Sequence, residues 1–145
     1  MSEDEKWMQI AIFEANKAKI EGEIPVGAVI VKDGLLIAQG HNQPITLNDP
    51  TAHAEIQVLR LAAKDQKNYR LNDATIYVTL EPCLMCFGAM NHARIKRLVF
   101  GAYEKKTGVC GSTNSHLINH KIMISGGVLK NDCSKILKEF FINKR

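Results

Sequence analysis

Long apolar runs are missing from this 145-residue chain, and so is a strong excess of charge of either sign. No stretch approaches the roughly 20 apolar residues that a membrane-spanning helix requires, so no membrane association is expected. The opening Met1-Ser2-Glu3-Asp4-Glu5 is acidic and has neither the basic nor the apolar region of a secretory signal, which makes a cytoplasmic protein the expectation. Cysteine is scarce, at four residues, and two of them are tightly spaced. That usage argues against a disulfide framework and for metal or redox chemistry. A formal net charge of +4 is mildly basic; it permits a nucleic-acid partner without demanding one. Internal repeats, low-complexity tracts and linkers are absent as well. Residues 1–145 are therefore expected to form one domain, with 46% hydrophobic and 23% charged residues giving the balance of an ordinary globular core.

The pattern that is present alternates strands and helices. Asp4 to Lys19 carries apolar residues at helical spacing, with Ser2 and Glu5 placed to form a capping box. Val26 to Val31 is short and β-branched, Asp33-Gly34 is a hairpin turn, and Leu35 to His41 returns as a second strand. Asn42 to Pro50 reads as a loop, and Asp49 or Thr51 is placed to cap a helix from Ala52 to about Lys64. Thr75–Thr79 and Arg97–Phe100 read as strands, with a helix from Cys83 to His92 between them. Residues 102–121 are the least regular stretch. A short strand within Lys121–Ser125 and a closing helix from Asp132 to Phe141 follow. The expected architecture is α/β, a mixed sheet of about five strands with helices on its faces.

Two stretches carry chemistry. In Glu81-Pro82-Cys83-Leu84-Met85-Cys86 the cysteines stand three apart, so both thiols leave one side of a helical turn, with Pro82 suited to that first turn. The positive end of a helix favours thiolate there. Alone, this spacing also fits a redox pair. His53-Ala54-Glu55 changes the balance, because it too lies where a helix starts. In an open α/β sheet such starts gather at one edge. Two thiolates and an imidazole suit zinc, and three protein ligands leave a fourth position to water, the catalytic arrangement. On a regular helix His53 and Glu55 point about 200° apart, yet both can converge on an object at the helix tip. Glu55 is then the expected general base and acid.

These residues resemble the signature of the zinc-dependent nucleobase deaminases. Within that superfamily the chain is most similar to the bacterial tRNA-specific adenosine deaminases, and the likeness covers nearly all of it. It runs through Ile24-Pro25-Val26-Gly27-Ala28-Val29, His41-Asn42, Asp49-Pro50-Thr51-Ala52-His53-Ala54-Glu55, Asn68-Tyr69-Arg70-Leu71 and Thr79-Leu80-Glu81-Pro82-Cys83. It continues in Gly88-Ala89-Met90, His92-Ala93-Arg94-Ile95, Val99-Phe100-Gly101-Ala102 and Lys106-Thr107-Gly108. The resemblance implies a three-layer cytidine-deaminase-like fold across residues 1–145 and one Zn2+ per chain on His53, Cys83 and Cys86. It further implies a homodimer and the anticodon stem-loop of a tRNA as substrate partner. The implied reaction is attack of zinc-bound hydroxide on C6 of wobble adenosine, with Glu55 shuttling protons and inosine remaining. Asn42 matches a position that hydrogen-bonds the base, and Ala54 is a further expected substrate contact. Lys105, Lys106, Lys138, Lys144 and Arg145 are candidates to meet phosphate, Lys106 and Arg145 foremost. Phe140 or Phe141 can stack on a base, with one of the two facing inward. Phe87 and Cys110 depart from the family's usual small or non-cysteine residues, and Asn114 to His120 fits it only loosely.

Two other functions fit the residues. One keeps the chemistry and takes a free base or nucleotide such as guanine, cytosine or dCMP. The other is a zinc-stabilised RNA-binding module without catalysis, which requires a fourth protein ligand from Cys110, Cys133 or a spare histidine.

Overall fold

A computed structural model describes residues 1–110 and 120–143. Among the described residues ten elements follow one another: α1 (Glu3–Ile20), β1 (Gly27–Lys32), β2 (Leu35–His41), α2 (Pro44–Leu47), α3 (Ala54–Gln66), β3 (Thr75–Leu80), α4 (Leu84–His92), β4 (Arg97–Ala102), β5 (Met123–Ser125) and α5 (Lys130–Asn143). The five strands form one sheet in the order β2-β1-β3-β4-β5. The Asp33-Gly34 turn is present, with both residues at positive φ, as a tight hairpin of this hand requires. No described helix is long and apolar enough to cross a membrane.

Alternation along the strands sorts the core into two layers. Ala28, Ile30, Ile76, Val78, Leu98 and Phe100 face α3 and α4, with Val58, Leu59, Phe87 and Met90. Val29, Val31, Tyr77 and Val99 face the other way, against Trp7, Met8 and Ala11 of α1 and Cys133 of α5. The sheet is thus covered on both faces, the three-layer cytidine-deaminase-like arrangement. Phe87 is fully buried, so the large side chain is built into the α4 face of the core. On α1, Gly27 permits a near backbone-to-backbone approach. A Cβ there would overlap the Ala11 carbonyl.

Strand direction places the site. β1 runs antiparallel to both β2 and β3, so β2 and β3 run the same way, and β4 and β5 follow parallel. Four strands therefore deliver their C-terminal ends to one edge of the sheet, where α3 and α4 begin.

Three boundaries differ from the sequence-based expectation. The loop after β2 contains the short helix α2. Its N-terminus is capped from a distance by Glu23, whose carboxyl accepts the N–H groups of Ile45 at 3.2 Å and Thr46 at 2.7 Å. α3 begins at Ala54, with His53 as its N-cap, because Asp49 spends its side chain on Thr51 instead, accepting from both N and Oγ1 at 2.8 Å. α4 begins at Leu84, with Cys83 as its N-cap in extended conformation, so Pro82 falls before the helix rather than in its first turn.

At the start of α1 the capping box forms as expected, Glu5 N–H to Ser2 Oγ at 3.1 Å and Ser2 N–H to Glu5 at 3.0 Å. Beside it Arg97 grips Asp4 with two hydrogen bonds, at 2.8 and 2.7 Å, and the Tyr77 hydroxyl adds a third at 2.9 Å. The Arg97 guanidinium foremost holds the Asp4 carboxyl below its ordinary 3.8. A lowered folded-state value means stability that is present above the unfolded pKa and lost as pH falls through the folded one. Arg97→Met is expected to cost about 1 kcal/mol near neutral pH, after allowing for solvent screening of this part-exposed pair. In denaturation series the gap between variant and parent should narrow as pH falls below the ordinary 3.8 of an aspartate and through the lowered folded-state value.

Candidate active site

His53 occupies the N-cap of α3 with extended backbone, φ −69° and ψ 155°. The 200° separation from Glu55 on a regular helix therefore does not apply. The imidazole projects past the helix tip, while Glu55 sits inside the first turn. The first free N–H of α3, that of Ala54, is not capped by its neighbours. It donates to Oδ1 of Asn42, twelve residues earlier at the end of β2, at 2.8 Å. That hydrogen bond commits Oδ1 of Asn42, which lines the cavity, and leaves its Nδ2 as a donor. On α4, Cys83 at the N-cap and Cys86 in the first turn have the spacing at which an N-cap side chain meets the third helical residue. Both sulfurs thus stand at the tip of α4.

The two tips meet. His53 Nδ1 lies 3.7 Å from Cys83 Sγ and 3.4 Å from Cys86 Sγ. The three candidate ligand atoms all lie within 4.8 Å of one another. A tetrahedral zinc with its usual bond lengths separates sulfur from nitrogen by about 3.6 Å. The two observed distances bracket that value, and both run to Nδ1, which puts Nδ1 in place to serve as a ligand. The donor set and its spacing fit such an ion.

Protons within the group are shared unevenly. The hydrogen bond from Cys86, with help from His53, brings the Cys83 thiol down to about 4. The same contact pushes Cys86 up. His53 is raised, first by its hydrogen bond with Cys83. Glu55 is 4% exposed, and burial pushes its carboxyl up to about 7. A carboxyl in that range can both take and give a proton near neutral pH.

The open side of the group faces a cavity of about 430 Å³. Its inner wall holds Asn42, His53, Glu55, Glu81 and Cys83; its outer wall is Tyr103, Glu104 and Thr107 with Leu137, Lys138 and Phe141 of α5. Among the described residues no fourth His, Cys, Asp or Glu joins the three. His41 is held between Glu14 at 2.8 Å and Glu21 at 3.1 Å, and Cys133 is buried against α1 and the sheet. Cys110 is half-buried nearby, its thiol pushed up to about 12 by burial.

The other sequence-derived candidates are scattered. Ala54 is fully buried and takes part through its N–H alone. Lys106 is exposed, and its N–H donates to Glu104 at 3.0 Å. Lys138 and Phe141 reach the cavity, whereas Phe140 is buried. Lys144 and Arg145 lie outside the described residues, as do Asn114 and His116. Sequence reasoning missed Glu81, Tyr103, Thr107 and Leu137. The available signals were that Glu81 follows β3 directly, just ahead of Pro82-Cys83, and that Thr107 lies within the Lys106-Thr107-Gly108 stretch.

A mixed sheet of this order, with a His-Cys-Cys group at two helix tips and a buried glutamate beside it, defines a zinc-type nucleobase deaminase by class. The chain belongs to the cytidine and deoxycytidylate deaminase family, whose zinc-binding region matches residues 1–102. It is 52% identical to a tRNA-specific adenosine deaminase of Haemophilus influenzae, over 98% of this chain and 85% of that protein. It superposes with a TM-score of 0.87 on a structure from work on A-to-I editing by tRNA:A34 deaminases, at 40% identity, covering 91% of this chain and 99% of that one. A guanine deaminase from Bacillus subtilis is also similar, with a TM-score of 0.69 and 40% identity over 81% of this chain and 74% of that one.

Asn42 gives a test that does not depend on activity. Asn42→Ala leaves the Ala54 N–H without an acceptor and is expected to cost about 1–2 kcal/mol in chemical denaturation, the range of a lost helix cap. Asn42→Asp keeps an acceptor at the helix N-terminus and should cost less than half as much.

Proposed function

We propose that this chain hydrolyses the C6 amino group of adenosine at the wobble position of a tRNA anticodon, leaving inosine and ammonia. The observation that carries the chemistry is a three-ligand group whose open side faces a cavity, with the Glu55 carboxyl buried on that side. The near full-length similarity to tRNA-specific adenosine deaminases supports the substrate. His53, Cys83 and Cys86 would hold one Zn2+ per chain. When bound, it supplies the Lewis acidity that makes a water nucleophilic near neutral pH.

The protein's own groups do the rest. Glu55 takes a proton from the attacking water and delivers protons to the ring nitrogen and then to the departing ammonia. Asn42 Nδ2 donates to the base, held in line by the Ala54 N–H on its other end. The first turns of α3 and α4 form a dry floor, so these proton transfers occur away from bulk water. At the rim Phe141, half exposed, offers a stacking face and Lys138 a charge for phosphate. An anticodon loop suits this pocket, because its bases are already partly unstacked. The reading includes a cytoplasmic homodimer.

Similarity to a guanine deaminase keeps a second substrate class in view. Purified protein is to be incubated with an unmodified anticodon stem-loop carrying wobble adenosine, and in parallel with free adenosine, guanine and cytosine. Inosine in the stem-loop alone is expected; xanthine from guanine with the stem-loop untouched would overturn the assignment. Glu55→Ala should keep one zinc per chain by metal analysis and lose turnover by about a thousandfold or more. His53→Ala or Cys86→Ser should lose the zinc, whereas Cys110→Ser should retain it.

A further inference from the structure

Glu81 is a buried acid that the reaction above does not use, 2% exposed and next in sequence to Pro82-Cys83. Both of its carboxyl oxygens are committed to the same segment. Oε1 accepts the Glu104 N–H at 3.0 Å, and Oε2 accepts the Cys110 N–H at 2.9 Å. Between those two points the segment closes on itself and on the inner wall, Gly108 N–H to Glu104 O at 2.9 Å and Val109 N–H to Pro82 O at 3.2 Å. It lies so close to Glu81 that a Cβ on Gly108 would overlap the Glu81 carboxyl group and the Glu104 carbonyl. The side chains this segment turns toward the cavity are Tyr103, Glu104 and Thr107.

We infer that Glu81 is a positioning residue, a two-pronged clamp that sets the outer wall of the cavity against the metal-ligand wall. The inference rests on the tRNA-deaminase reading for the substrate whose binding the wall shapes. Two N–H donors six residues apart in sequence need two acceptors on one rigid group. Glutamine supplies one acceptor and turns its amide donor toward the second N–H, so it breaks one prong. Aspartate lacks the reach. Gly108 is the complementary half of the device, because any side chain there wedges the segment off the carboxyl group. Glu81 also follows β3 directly, so one side chain couples the register of the sheet to the substrate wall. His53, Cys83 and Cys86 are untouched by the clamp, which therefore acts on substrate binding and leaves the metal alone.

The test uses the full-length zinc-loaded protein with Glu81→Gln, Gly108→Ala and the double variant. Three quantities are read: bound zinc, amide hydrogen exchange of residues 103–110, and KM and kcat on the anticodon stem-loop. Expected are zinc at the parent level, exchange faster by about tenfold, and KM raised by about tenfold with kcat changed less than about threefold. The double variant should be no worse than the weaker single, since both act through one contact. Unchanged exchange or unchanged KM overturns the inference, and so does loss of zinc together with kcat, which would make Glu81 a support for the ligands. If Glu81→Gln does not fold, Gly108→Ala keeps the carboxyl group and carries the same comparison. Exchange involves no RNA. A parent protein that leaves the stem-loop unchanged would thus overturn the tRNA reading while exchange still decides whether Glu81 holds the segment.

Discussion

The convergence of two helix tips is the constraint on which the site depends. His53 and Cys83 are both N-caps, with a chain separation of 30 residues. An N-cap residue has extended backbone and a side chain aimed beyond the helix, so a ligand at that position reaches out along the axis rather than sideways. Two such residues can face a common point only if their helices start at one edge of the sheet. The antiparallel placement of β1 between β2 and β3 guarantees this, because it makes the two outer strands run the same way. The positive ends of both helices then point at a group that holds two sulfurs, an arrangement in which the Cys83 thiol is lowered toward thiolate.

Local motifs were legible in the sequence where the chemistry is local. The His53-Ala54-Glu55 and Cys83/Cys86 spacings point to the His-Cys-Cys group that the structure brings together and that could hold a metal, and the capping box at Ser2 and Glu5 and the Asp33-Gly34 turn are complete within a few residues. The helix starts were misplaced because the rules used for them are also local. Asp49 and Thr51 satisfy a capping rule but bond to each other. The side chain that accepts from the first turn of α3, whose N-cap residue is His53, is that of Asn42, just after β2. Pro82 satisfies the first-turn rule, yet the helix begins after Cys83. The outer wall was illegible for the same reason: the partners of Glu81 lie 23 and 29 residues away, and no short-range pattern encodes them.

Four buried glutamates show how the fold separates structural acids from a reactive one. Hydrogen bonds to a carboxyl favour its charged form, and burial penalises that form. On Glu14 that effect is outweighed by hydrogen bonds from His41, Gln39 and Lys17, and the carboxyl ends below its ordinary value. On Glu23 it is outweighed by three hydrogen bonds from Thr46 and Ile45, with the same result. Glu81 gives both oxygens to backbone N–H groups. Glu55 has a weaker set of donors, its own backbone N–H and the Cys86 thiol. Burial dominates there, and the neighbouring Cys83 adds to it. The difference lies in what each carboxyl faces. Glu14, Glu23 and Glu81 face chain that must be held in place, and they hold it: the α1–β2 junction, the α2 loop and the outer wall. Glu55 faces the cavity. A glutamate whose burial outweighs its hydrogen bonds is a cost to folding, and this one lines the cavity. The saturated acids around it hold the walls between which that one group faces the cavity.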